Sequence, residues 1–521
     1  MSILTSGTSL AIAAVIGVLL PQQMPPPIQA RTTAGIVEGI AAPTPGIWIF
    51  LGIPYAAPPV GNLRWKPPQP PRAWIGVRKA DHFGNRCVQT NPYPDMLFRS
   101  AAESEDCLSL SVWTPASTPS DRLPVMVWIH GGGFFSGASD EHRHDGLTLA
   151  SKGVVLVEIN YRLGAMGFLA HPDLTAESPD HASGNYGLLD QIAALRWVRD
   201  NIAGFGGDPN QVTIFGESAG SMSVSALMAS PLAAGLFQRA IGQSGAYFDS
   251  AAPSLALLPL REAEQRGVAL ATEVGARSLA ELRAKPAADL VKAVGRESTR
   301  FAPILDGVVL PATLLEVFSA GRQHHVPLLA GWNSAESTTA PTTVAAFRAQ
   351  LARLFPNDLD AAAKVYPSGN NLEASASAVA LASDNFIAAG TWTWIEMHRA
   401  TGGAPVYRYL FDQILPTATG NPPPYDPGAA HASDIEYVFN TLDSKKLAWR
   451  AEDRDVAGLM SSYWTNFAKR GDPNGGSLPK WPAWSEANGW RLMRLNAHPG
   501  AEPEQHRDRY EFQKQVAATR R

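Results

Sequence analysis

The segment Gly216-Glu217-Ser218-Ala219-Gly220 closes the apolar run Val212-Thr213-Ile214-Phe215, and this junction restricts the fold more than any other part of the chain. A β-branched and aromatic run of this kind reads as a strand buried on both faces. Glycines two residues before and two after Ser218 permit a tight strand-to-helix turn. Such a turn lifts the serine oxygen out at the C-terminal edge of a sheet. It also aims the next helix N-terminus, with its free N–H groups, at any negative charge formed there. An ordinary Gly/Ser loop leaves the same short pattern, so the flanking sequence must decide. Downstream, 221–228 holds small residues and helix formers. Upstream, Ile192, Leu195, Trp197, Val198 and Ile202 predict an amphipathic helix over 190–202. Strand, helix, strand, sharp turn and helix form the βαβ grammar of a parallel sheet.

The 521-residue chain is 45% hydrophobic and 17% charged, ample for a large core. Its net charge of −4, with mixed signs, supplies no basic stripe for nucleic acid. No repeat, heptad or low-complexity tract is present beyond proline-rich loops, and nothing in the sequence sets an oligomeric state. We expect one α/β unit over 31–521, with a small antiparallel N-terminal portion leading into a mostly parallel sheet with helices on both faces. Insertions between about 250 and 440 should wall the site, with 254–300 contributing to a lid through Leu279, Leu282, Leu290 and Val294. The charged stretch from Glu502 should end in a helix packed outside.

Residues 1–30 read as an export signal. Leu10 to Leu20 is an unbroken small and apolar run followed by prolines, too short to span a bilayer but suited to a signal h-region. No Lys or Arg precedes it, and a disordered cytosolic tail is the alternative. Ala30 fits a cleavage point. The two cysteines, Cys87 and Cys107, agree with export to a secreted or periplasmic location. A disulfide between them closes a loop of about twenty residues and stabilises by roughly 3 kcal/mol. Neither has a partner at metal-ligand spacing.

Attack by Ser218 on a carbonyl needs oxyanion donors, a base, and an acid that orients the base. Val125-Met126-Val127-Trp128-Ile129 is a second buried strand pattern, and it ends in His130-Gly131-Gly132-Gly133-Phe134. Glycines after a strand let backbone N–H groups point inward. A phosphate cradle would want a Lys there, whereas Phe134 and Phe135 follow. Gly132, Gly133 and Ala219 are therefore the expected oxyanion donors.

With these segments in view, the chain resembles the type B carboxylesterases, the family that includes the cholinesterases, from about Gly35 to Leu495. The stretch from Phe205 to Gly220 fits the family's nucleophile signature throughout. Glu105-Asp106-Cys107-Leu108 fits its second signature, with Ser109 standing where an aromatic or Thr is usual. Asn160-Tyr161-Arg162-Leu163-Gly164 and Gly184-Asn185-Tyr186-Gly187 are also family-like. The resemblance implies an α/β-hydrolase fold and hydrolysis of a small carboxylic ester through an acyl-enzyme, with no metal or organic cofactor. It selects His431 from twelve histidines as the base and Glu336 as the orienting acid. The chain order Ser218, Glu336, His431 is that of α/β-hydrolases. Ser334-Ala335 replaces the charged residues more usual before that glutamate. His142, His144, His324 and His325 are better explained as solvated loop residues.

Around the site, Glu217 is either an electrostatic tuner or a buried hydrogen-bonded carboxylate. Ser244 resembles a supporting serine near Asp434, and Arg64 with Glu105 should form a structural ion pair. Phe134 and Phe135 are expected to line the substrate pocket, and Trp332, Trp392 and Trp394 to lie in the core. The Cys87–Cys107 loop carries Tyr93, Met96 and Phe98 but no Trp, which argues against a choline ester. Amide or lactone hydrolysis would use the same apparatus, and a non-catalytic adhesion module would share the fold.

Overall fold

The computed structural model describes residues 28–248, 256–294, 300–337, 343–419 and 428–519. The expected signal segment therefore lies almost wholly outside the described residues, as do parts of the 254–300 stretch. The central sheet has 11 strands: β1 (Ile40–Ala41), β2 (Trp48–Pro54), β3 (Ser109–Thr114), β4 (Leu123–Ile129), β5 (Val155–Ile159), β6 (Gly207–Glu217), β7 (Arg239–Gln243), β8 (Leu328–Asn333), β9 (Val406–Phe411), β10 (Arg491–Leu495) and β11 (Gly500–Pro503). Their spatial order is β11-β10-β9-β8-β7-β6-β4-β5-β3-β2-β1. From β10 to β5 every pairing is parallel, and both margins are antiparallel.

The apolar runs are continuous because alternate residues serve two cores. Val125, Val127 and Ile129 of β4 face one cluster, with Ile192, Leu195 and Val224. Met126 and Trp128 face the other, with Phe215, Phe439 and Phe467. This is the period-2 alternation of a strand covered on both sides. The first cluster is capped by α1 (Tyr186–Asn201) and α2 (Ala219–Ala229). The helix α1 begins four residues ahead of the predicted 190, since Leu188 is also buried, and it gives way to a 3-10 turn that stops at Gly206, φ 77°.

A separate three-stranded sheet joins Gln29–Thr32, Gly35–Glu38 and Val77–Lys79. Ala30 is 2% exposed within its first strand. The 254–300 stretch supplies α3 (Leu260–Glu273), α4 (Leu279–Ala284) and α5 (Ala287–Val294). Leu282 and Leu290 are buried as their spacing predicts, while Leu279 and Val294 are partly so. Further on come α6 (Ala389–Gly402), α7 (Ile435–Phe439), α8 (Ala451–Arg470) and α9 (Arg507–Thr519).

The C-terminal helix α9 is no loose appendage. Phe512 and Val516 enter a small core with Phe347, Leu351 and Tyr366, and Arg509 reaches the fully buried Asp384 at 2.7 Å. Trp332, Trp392 and Trp394 are buried, as expected. Cys87 and Cys107 form the disulfide. Arg64 pairs with Glu105 and also donates Nη1 to the backbone oxygens of Arg283 and Lys285, tying the disulfide neighbourhood to the end of α4. Among the described residues no helix is long and apolar enough to cross a membrane.

Candidate active site

The chain runs from β4 to β5 on one side and from β6 through β7 to β8 on the other, so β4 and β6 are neighbours at a topological switch point. Loops leaving the C-terminal ends of such strands diverge and open a crevice. The turn after β6 carries Ser218, the loop after β4 carries the glycines, and the turn after β8 carries Glu336. His431 arrives from the connection between β9 and α7.

Ser218 bears the strain of the turn itself, with φ 55° and ψ −120°, a region rarely occupied by a residue with a side chain. Its N–H donates to the Gln243 oxygen at 2.8 Å, and its carbonyl accepts from Met222 N at 2.9 Å. Gly216 and Gly220 do not have positive φ. They are required by proximity: a Cβ at Gly216 would lie 2.6 Å from the Ile129 oxygen, and one at Gly220 would drive into that same atom. The turn is thus pressed against the end of β4.

His431 bridges the other two side chains. Its Nε2 is 2.9 Å from Ser218 Oγ and its Nδ1 is 2.6 Å from Glu336 Oε2. The other Glu336 oxygen accepts from Asn333 N at 2.6 Å. Ser334 and Ala335 serve the meeting of two loops: Ala429 N donates to Ser334 Oγ at 2.8 Å, and Ala335 N donates to the Ala429 oxygen at 2.9 Å. A Cβ at Gly428 would come within 2.7 Å of the Ala335 Cβ. Small residues at 334 and 335 therefore let the strand-end loop and the histidine loop lie side by side.

Gly132 and Gly133 have φ of 91° and 65°, which favours glycine. The Gly132 oxygen accepts from Phe135 N and Ser136 N at 3.2 and 3.0 Å, polarising the peptide that carries the Gly133 N–H. Among the described residues, no protein acceptor takes the N–H of Gly132, Gly133 or Ala219. All three residues line a cavity of about 450 Å³ with Ser218, His431, Glu217, Tyr93, Met96, Phe135, Arg143, Arg300 and Phe386.

Three sequence expectations need correction. Phe134 does not line this cavity: it is fully buried and packs on Phe168 and Tyr247 at ring distances of 5.4 and 5.8 Å. Its φ of 66° turns the side chain into the core and leaves Phe135 at the cavity wall. Ser244 makes no hydrogen bond to Asp434; its Oγ is buried without a partner among the described residues. Asp434 instead accepts from Gln243 at 2.8 Å, Asn333 at 3.3 Å and Tyr409 at 3.4 Å, and burial pushes its carboxyl up to about 6. Gln243 and Asn333 were legible only as polar residues ending buried runs. Finally, His144 is not solvated. It is buried between Glu158, 3.3 Å away, and Glu141, 3.6 Å away. His142 and His325 are exposed and His324 is half-buried.

Glu217 is buried, and that burial pushes its carboxyl up to about 8, against the opposing pull of His431. Its Oε1 lies 3.4 Å from His431 Nε2. Burial works against the His431 imidazolium, yet the carboxylates of Glu217 and Glu336 prevail and raise its pKa. Arg143, unremarked in the sequence, borders the cavity and is held by Glu141 at 2.7 Å and Asp95 at 3.0 Å.

Comparison with known proteins agrees with this architecture over nearly its whole length. The sequence model of the Carboxylesterase family matches residues 26–513. A fumonisin B1 esterase of Sphingopyxis macrogoltabida is 38% identical over 503 residues, covering 91% of this chain and 88% of that protein. Carboxylesterase 1E of Mus musculus is 34% identical and carboxylesterase 1C of Rattus norvegicus 36%, each covering 87% of this chain and 86% of the relative. The sheet at a switch point, the serine turn and these long matches make the chain a member of the carboxylesterase family, an α/β-hydrolase and an ester-hydrolysing enzyme.

Proposed function

We propose that this enzyme hydrolyses small carboxylic esters through an acyl-enzyme on Ser218, with His431 as general base and Glu336 as its orienting acid. The observation that carries this reading is the double reach of His431, 2.9 Å to Ser218 Oγ and 2.6 Å to Glu336 Oε2. Neutral His431 takes the Ser218 proton as Oγ bonds to the ester carbon, and the carbonyl oxygen becomes an oxyanion met by the N–H groups of Gly132, Gly133 and Ala219. Glu336 keeps the Nδ1 proton in place and stabilises the imidazolium without taking the proton. His431 then protonates the departing alcohol. Water, deprotonated by the same histidine, attacks the acyl-enzyme and releases the acid.

We also propose that residues 1–30 hold an export signal and that 31–521 form one hydrolase domain. The Cys87–Cys107 disulfide suits an oxidising compartment. The expected substrate is an ester rather than an amide, in keeping with the esterases it resembles. Hydrolysis of p-nitrophenyl acetate and butyrate by the purified protein and by Ser218→Ala tests the proposal. The expected result is loss of at least roughly 10⁴-fold in the variant, and equal rates for the two proteins refute it.

A further inference from the structure

Three cavities meet at one cationic side chain. Arg300 borders the catalytic cavity. It also borders an apolar chamber of about 320 Å³ lined by Val88, Leu163, Val291, Val294 and Phe301. A third pocket, of about 160 Å³, shares it with Arg266. Its Nη2 donates to the Gly133 oxygen at 3.2 Å, and its guanidinium lies 5.9 Å from the centre of the Phe135 ring. It therefore stands at the rim of the glycine loop, with Phe135 dividing the catalytic cavity from the apolar chamber.

The charge balance of the cavity is uneven. Arg143 is neutralised by Glu141 and Asp95, and Asp95 also faces Lys445 at 3.8 Å. Glu217 faces His431, with 3.4 Å between its Oε1 and the imidazole Nε2. Arg300 has no ion-pair partner among the described residues. A guanidinium is planar and carries five donors, and one of them here serves Gly133. The residue is exposed and borders the cavity, beside the loop that is expected to receive the oxyanion. A carboxylate on the substrate, placed a few bonds from the ester, is the anion that such a fork pairs with most directly.

Resting on the ester-hydrolase reading above, we propose that Arg300 is a specificity-determining residue that pairs with a free carboxylate of the substrate, so that the preferred substrates are esters bearing a second, unesterified carboxyl group. That group can belong to the acyl part or to the alcohol part, and the test separates the two. The wild type, Arg300→Leu and Arg300→Lys are assayed on two matched pairs. Mono-p-nitrophenyl glutarate against p-nitrophenyl butyrate places the charge on the acyl side. p-Acetoxybenzoate against phenyl acetate places it on the alcohol side.

The wild type should prefer the carboxylated member of at least one pair in kcat/KM. In Arg300→Leu that preference should fall roughly 10- to 100-fold, the effect of losing one charge-assisted hydrogen bond, chiefly through KM. Lysine should restore part of it, and added salt should erode it in the wild type but not in the leucine variant. If Arg300 only steadies Gly133, both members of each pair slow together and the ratio is unchanged; that result overturns the proposal. A wild type with no preference in either pair overturns it too. In both cases turnover of the neutral esters leaves the ester-hydrolase reading standing, whereas a wild type inactive on all four esters removes that reading and this proposal together.

Discussion

Gly220 lies directly against the Ile129 carbonyl, so close that no side chain fits between the first turn of α2 and the end of β4. The contact presses the Ser218 turn against the strand that launches the glycine loop. It makes the distance between nucleophile and oxyanion donors a property of the sheet rather than of two independent loops. Glycine is needed there for space and not for backbone freedom.

A methyl group at this position should therefore be costly. Gly220→Ala is expected to destabilise by at least roughly 1–3 kcal/mol, the usual penalty for overpacking a rigid core, and to depress ester hydrolysis with it. Gly235, with φ 74° and open space around it, supplies the contrast, because Gly235→Ala meets only left-handed backbone strain of about 1–2 kcal/mol. Denaturant midpoints for the two variants check the order, and activity should survive only in the second.

The same distinction explains what could be read from the sequence and what could not. The strands at Val125 and Val212 and the glycine loop were legible because local periodicity dictates them. The pairing of Gly220 with Ile129 was not, since it joins residues 91 positions apart. Phe134 was misread because its positive φ, invisible in the sequence, turns its ring into the core and leaves only Phe135 at the cavity. His144 was misread because it is buried against Glu158 on β5, a contact between separate elements, as well as against Glu141 of its own turn. Gln243 and Asn333 became visible as supports of Asp434 only once two adjacent parallel strands, β7 and β8, were brought side by side.

The acid limb of activity should sit above the ordinary histidine value of about 6.5. His431 must be neutral to accept the serine proton, and its pKa is raised by Glu217 and Glu336, so activity falls as pH drops through that raised value. Glu217→Gln removes one of the two carboxyls and makes the imidazole less basic. Its kcat/KM profile should move to lower pH; an unmoved limb would show that Glu217 exerts no charge on the base.

Stability should decline on the alkaline side through the buried His144 pair. Burial opposes the His144 imidazolium, but Glu158 and Glu141 outweigh it and push the imidazole up to about 9. Burial pushes Glu158 up to about 7. Both groups bind protons more tightly folded than unfolded, so their contribution is complete below the unfolded values and is lost as pH rises through 7 and then 9. The Tm of the wild type should fall between about pH 6 and pH 9.5, and His144→Gln should show a flatter dependence by differential scanning calorimetry.

A buried charge pair should contribute strongly to holding the C-terminal helix. Arg509 lies 2.7 Å from Asp384, whose carboxylate also accepts the Tyr366 hydroxyl at 2.7 Å. Arg509→Met leaves the carboxylate buried without its cation and should cost about 3–5 kcal/mol. Adding Asp384→Leu should recover part of that loss, since an apolar pair avoids the uncompensated charge. A double-mutant cycle in urea measures both, and additive losses would mean the pair does not couple.

The most direct measurement is the site of covalent modification by diethyl p-nitrophenyl phosphate, which traps an activated serine in place of the acyl group. Peptide mass spectrometry should find the diethylphosphoryl group on the peptide containing Ser218, one per chain, in step with lost esterase activity. The His431→Ala protein should remain unlabelled under the same conditions. Inactivation with the label on another residue, Ser244 included, or labelling of Ser218 that proceeds equally without His431, would contradict the proposed catalytic assignment.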